Sequence, residues 1–204
     1  LLWSNQKRFA EKKKQEEDEL YDRMLCSHDD EQIWSLLREH IRLGNAGHLA
    51  FVADALKRST EGFLNEEYSL LRKLDGQIDE QLKALKRQRK REVVCMRRLD
   101  PKRFLPLNTW YSLGINSCKQ MLYCMKRIND PVMEHVGNSF SPIPKEFHES
   151  FISRRDSVIA LYLKALEDLR EGDLHDMDRL RKECTELGDN ISDDCRVAQE
   201  SAQE

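Results

Sequence analysis

Glycine and proline are scarce in this chain, 8 and 5 among 204 residues. Tight turns and loops draw heavily on both, so a β-rich or loop-rich protein is excluded and a mostly helical one is expected. No run of 18 apolar residues occurs, and nothing in the chain reads as a helix spanning a bilayer. No secretory leader is read at the start, and an opening on Leu1 rather than Met leads us to expect a piece of a longer protein. The six cysteines, Cys26, Cys95, Cys118, Cys124, Cys184 and Cys195, form no C-x-x-C pair and no zinc spacing with the six histidines. Five of them fall in helical patterns beside apolar residues, where cysteine acts as a small hydrophobe, so a reducing compartment is expected. A Gly-rich phosphate loop, a nucleophile elbow and H-E-x-x-H are all missing, and so is the Glu-x-x-His pair of di-iron bundles. A non-catalytic role is the expectation that follows.

What is present is charge on a helical repeat. Charged residues make up 35% and hydrophobic ones 39%, with a net charge of −3, a polar composition that still supports a core. At this length the chain is one ordinary domain, or one domain with an arm. Residues 1–28, containing KRFAEKKKQEEDEL, read as a charged helical arm or linker with little to bury. Residues 29–200 read as an all-α antiparallel helical bundle with a long central helix.

Steps of three and four place Ile33, Leu37, Ile41, Gly44, His48, Phe51 and Ala55 on one helix face, capped at Asp29 or Asp30. LGNAG interrupts that face, so Gly44–Gly47 is either a break or a point where another backbone comes close. The pattern from Phe63 through Tyr68, Leu71, Leu74, Ile78, Leu82 and Leu85 to Met96 and Leu99 predicts one long helix ending before Pro101. A third helix is predicted from Asn108 or Thr109, with Trp110, Leu113, Ser117, Met121, Cys124 and Ile128 as its apolar face. Pro131 kinks or stops it, and 137–144 forms a loop. A fourth helix carries Phe147, Phe151, Val158, Tyr162, Ala165 and Leu169. A fifth begins near Leu174 after a stop at Gly172-Asp173, with Leu180, Cys184, Leu187, Ile191 and Cys195 on its face.

Two charge patterns are candidates for function. Asp75 and Asp79 lie one helical turn apart, as do Asp189 and Asp193, with Glu186 a turn earlier; if the helices faced each other they could share a divalent cation. Solvated surface carboxylates are the plainer alternative. Lys83–Arg103 holds ten basic residues against Glu92 and Asp100. Within it Lys86, Arg87, Arg89, Lys90, Arg91, Arg97 and Arg98 could meet an anionic membrane or partner, or simply form a solvated helix end. Aromatic residues do not interleave the run, so nucleic acid is not expected. His135, after Pro131, could be a ligand or hinge; the plainer reading is a hydrogen bond to a loop carbonyl.

At EQIWSLLREHIRLGNAGHLAFVADAL (31–56) and NTWYSLGINSCKQMLYCMKRINDPVMEHVGNSFSPIP (108–144) the chain resembles the C-terminal cytosolic region of Pit-family inorganic phosphate transporters of Bacteroides-like bacteria. That region is similar to PhoU, a helical-bundle regulator of phosphate uptake. The resemblance covers residues 30–197 and implies a regulatory domain on the cytoplasmic face of the membrane. Its partner would be the transmembrane portion of the same transporter. It also implies metal binding through Glu/Asp-x-x-x-Asp motifs. Asp75-x-x-x-Asp79 and Asp189-x-x-x-Asp193 fit that form, with Asp where the family has Glu and no neighbouring His or Cys at the family's spacing. The alternatives are a cytosolic adaptor that forms a homodimer through the Phe63–Leu99 helix, and a metal-dependent bundle enzyme.

Overall fold

The computed structural model describes residues 15–16, 18–171 and 176–201. Among them the chain is an all-α bundle: α1 (18–26), α2 (Asp30–Leu64), α3 (Tyr68–Met96), α4 (Pro101–Gly137), α5 (His148–Glu171) and α6 (Met177–Ser201), with a single 3-10 turn at Lys145–Phe147 before α5. The stop expected at Gly172-Asp173 and the start at Leu174 lie outside the described residues, as does most of the Trp3–Leu25 arm.

Local chemistry explains the boundaries. The Asp29 carboxylate accepts from the Glu31 N–H at 3.1 Å, capping α2 as the sequence suggests. Instead of breaking at LGNAG, α2 runs on to Leu64. There, Glu67 N–H donates to Gly62 C=O and Glu66 N–H to Phe63 C=O, with Glu66 at φ 56°. These two bonds make a Schellman stop. Phe63 therefore closes α2 rather than opening α3. The long helix predicted as Phe63–Leu99 is Tyr68–Met96, and the break was invisible in sequence because a glutamate holds the position glycine usually takes.

α4 also departs from expectation. It starts at Pro101, not Asn108, because the Asp100 carboxylate accepts from Lys102 N–H at 2.7 Å and proline suits the first helical position. It continues through Pro106 and Pro131 to Gly137. Its end repeats the earlier device: Phe140 N–H donates to His135 C=O, Ser139 N–H to Val136 C=O, and Ser139 has φ 53°.

The core divides into two compact units. Unit 1 comprises Leu1–Asn45 and Leu82–Gln120, and unit 2 comprises Ala46–Gln81 and Met121–Glu204. Unit 1 buries Met24, Ile33, Leu37, Leu85, Cys95, Met96, Tyr111, Ile115 and Cys118; unit 2 buries Val52, Leu71, Leu74, Ile78, Leu122, Met125, Leu166 and Leu180. The buried face of α4 is thus Tyr111, Ile115, Cys118, Leu122, Met125 and Asn129. This is one residue out of phase with the predicted Trp110–Ile128 line, on which Trp110 is 74% exposed and Leu113 56%. Four cysteines, at 26, 124, 184 and 195, are likewise exposed rather than packed as small hydrophobes. On α5 the buried residue is Leu166, beside the predicted Ala165.

Candidate functional site

In unit 1 a carboxylate is buried at the junction of three helices. Glu92 of α3 has no exposed surface. Its Oε1 accepts from the Gln88 side-chain N–H at 2.9 Å and lies 2.8 Å from His40 Nδ1 of α2; its Oε2 accepts from the Tyr111 hydroxyl of α4 at 2.7 Å. Removing a carboxylate from water is costly unless its lone pairs are matched, and here both oxygens are. Gly44 makes room for this arrangement, since a Cβ there would overlap the Gln88 amide. Close packing, not a helix break, is therefore what the LGNAG segment provides. Burial, then the Glu92 charge and hydrogen bond, push the Tyr111 hydroxyl well above its ordinary pKa. Burial and the same charge push the Cys118 thiol up to about 11, leaving it protonated and unreactive at neutral pH.

In the sequence Glu92 stands out only as a charge opposing the basic run, and His40 and Tyr111 belong to no motif. Stepping α3 onward from Leu85 by three and four reaches Gln88 and Glu92, so the signal for a buried acid was present in the periodicity.

Of the seven basic residues singled out, five on α3 and Arg97 and Arg98 just past its end, two are engaged within unit 1. Arg91 pairs with Asp18 at 2.6 Å and covers the Tyr21 ring at 5.0 Å. Arg98 donates to the Met24 and Leu25 carbonyls, each at 2.7 Å, and to Ser27 C=O at 2.6 Å. It thus satisfies the open carbonyls at the end of α1. With Met24 fully buried, α1 is docked on the unit; the rest of the charged arm or linker expected over 1–28 lies mostly outside the described residues. Lys86, Arg87, Arg89, Lys90 and Arg97 are exposed.

In unit 2 the Asp75–Asp79 pair faces a cation supplied by the protein. Lys126 Nζ of α4 donates to Asp79 Oδ1 at 2.7 Å and lies 3.5 Å from Asp75 Oδ1. The bond to Asp79 raises the Lys126 pKa, with the charge of Asp75 adding to it. The α6 acids are exposed on that helix: Glu186 lies 3.7 Å from Lys182 and Asp193 3.6 Å from Arg196, while Asp189 is solvent-facing. Among the described residues no group of three His, Cys, Asp or Glu side chains that could hold a metal forms. His135 follows its plainer reading: Nε2 lies 3.0 Å from Ser141 C=O, and its ring meets Phe63 and Phe140 edge-on.

Unit 2 has its own buried polar contact. Asn129 donates to Leu71 C=O at 3.2 Å and accepts from the Ser59 hydroxyl at 3.1 Å. α5 and α6 are tied to each other through Arg154–Asp194 at 2.5 Å and Lys164–Glu183 at 3.5 Å, and bury Leu166 and Leu180.

No protein-family model matches the chain, and neither does any curated protein or solved structure. Among the described residues no helix is long and apolar enough to cross a membrane.

Proposed function

We propose that this chain is a non-catalytic regulatory module that acts by contact, its partner being the transmembrane portion of an inorganic phosphate transporter. The observation that supports it most is the double use of α3. The last turns of α3 and the turn that follows grip α1 through Arg91 and Arg98. The same stretch displays Lys86, Arg87, Arg89, Lys90 and Arg97 to solvent. A partner drawn to those cations therefore binds next to the segment that α3 holds. Such a module shifts a transporter's gating only by its differential affinity for two transporter states. The glutamate cluster serves as a rigid internal fixture in this reading, and the resemblance over residues 30–197 supplies the transporter.

The test is phosphate uptake by cells carrying the native gene with the codons for 30–197 removed. The expected result is an altered dependence of uptake on external phosphate; identical uptake curves with and without the segment rule the reading out. A cytosolic adaptor is the second reading, favoured by Trp110 and Leu113 standing exposed on unit 1. Sedimentation that shows only monomer at high concentration removes it as a homodimer.

A further inference from the structure

The two units differ sharply in charge. Unit 1 holds nineteen Lys and Arg against twelve Asp and Glu, a net of +7; unit 2 holds fifteen against twenty-five, a net of −10. Much of the positive excess lies along one line. Lys86, Lys90 and Val94 follow one another at steps of four, which sets them on a single face of α3; Arg97, three residues on and just past the helix end, continues the line, its N–H still donating to Val93 C=O, and Arg87 flanks it. All are exposed, including Val94 at 45%. Several cations elsewhere are ion-paired, among them Arg42 with Glu39, Arg58 with Asp54, Lys126 with Asp79, Arg154 with Asp194 and Arg179 with Glu183. The α3 stripe has no ion pair among the described residues. Like charges one turn apart, as at Lys86 and Lys90, work against a helix unless something compensates them.

We propose that this stripe of α3 lies on the headgroup surface of an anionic bilayer. Its charge is complementary to lipid phosphates, and Val94 sits among the cations where an interfacial helix carries apolar contact. Single-stranded nucleic acid fits less well, because no aromatic side chain interleaves the stripe, and exposed Val94 has an apolar phase to enter at a bilayer but none along a duplex backbone. The net −10 of unit 2 is repelled by the same surface, so only unit 1 is drawn to it. This inference deepens the transporter reading by naming what the cations touch. It is tested with no transporter present, so its failure and that of the regulatory role are separable.

The experiment is co-sedimentation of the full chain with vesicles of phosphatidylcholine alone and of phosphatidylcholine mixed with phosphatidylglycerol. Binding is expected only to the mixed vesicles, and is expected to vanish at high salt. Each of Lys86→Gln, Lys90→Gln and Arg97→Gln should lower partitioning about fivefold, and the triple variant more than about a hundredfold. Circular dichroism of each variant checks that its helices persist. A control, Arg179→Gln with Arg181→Gln and Lys182→Gln, removes as much positive charge from α6 and should lower binding far less than the stripe variant does. The proposal is overturned if the parent ignores anionic vesicles at low salt, or if the two triple variants lose binding equally. It is also overturned if duplex DNA binds more tightly than the vesicles, or if the stripe substitutions abolish a salt-sensitive dimer seen without lipid.

Discussion

Tyr111 binds its proton more tightly in the folded chain than in the unfolded one, because burial and the Glu92 charge both disfavour the phenolate. Its contribution to stability is therefore complete below its ordinary value of 10 and falls as pH rises beyond it. Tyr111→Phe should remove that alkaline decline. At neutral pH it should cost about 1–3 kcal/mol, because Glu92 Oε2 then lacks its donor. Chemical denaturation of both proteins at neutral and alkaline pH checks both arms. Glu66 and Ser139 occupy left-handed backbone at the two helix stops, a conformation costing about 1–2 kcal/mol for side chains other than glycine. Glu66→Gly and Ser139→Gly should each raise the thermal midpoint, by about 1 kcal/mol of stability. These residues also mark where the sequence stops being informative. A glutamate or serine in a glycine's place gives no turn signal, so the boundary at 65–67 could not be placed from composition.

At the scale of the element, α2 and α3 were legible because a single face of each is apolar. Leu71, Leu74, Ile78 and Leu85 were expected inside and are buried. α4 was harder, because two adjacent apolar lines compete on it. The line through Trp110 and Leu113 looks as hydrophobic as the one through Tyr111 and Ile115, and only packing chooses between them. The candidate site suffered for a related reason: Glu92, His40 and Tyr111 are polar, and a search for apolar stripes and charge runs passes over polar residues that are buried. The Gly44 contact makes a sharp prediction here. Gly44→Ala should destabilise by about 1–3 kcal/mol, since the added methyl meets the Gln88 amide. Combining it with Gln88→Ala should give much less than the sum of the two single effects, the mark of a shared contact. Urea titration of the four proteins measures that coupling.

For the whole molecule, the division into units does not follow the helices. α2 gives 30–45 to unit 1 and 46–64 to unit 2, and α3 and α4 are divided in the same way. Neither unit contains these helices complete, so the two should unfold together. Among the described residues the tryptophans, Trp34 and Trp110, belong to unit 1, whereas circular dichroism reads the helices of both. Leu122→Ala, in unit 2, should cost about 2–5 kcal/mol and shift the fluorescence and dichroism transitions equally. A fluorescence midpoint that stays put would mean independent units. The helical class was legible at this scale from the scarcity of glycine and proline. The two units were not, because no linker or change of composition marks a boundary that falls within continuous helices.

Lys126 gives the Asp75–Asp79 pair a tethered competitor. An amine delivered by the neighbouring helix acts at an effective concentration of about millimolar or more, whatever the solution contains. A dissolved cation must exceed that standing occupancy before it gains a foothold, so trace metal loses to the lysine and only a strongly favoured dication displaces it. The two carboxylates are in this sense already loaded, and their selectivity is set by how tightly α4 presents its own ammonium.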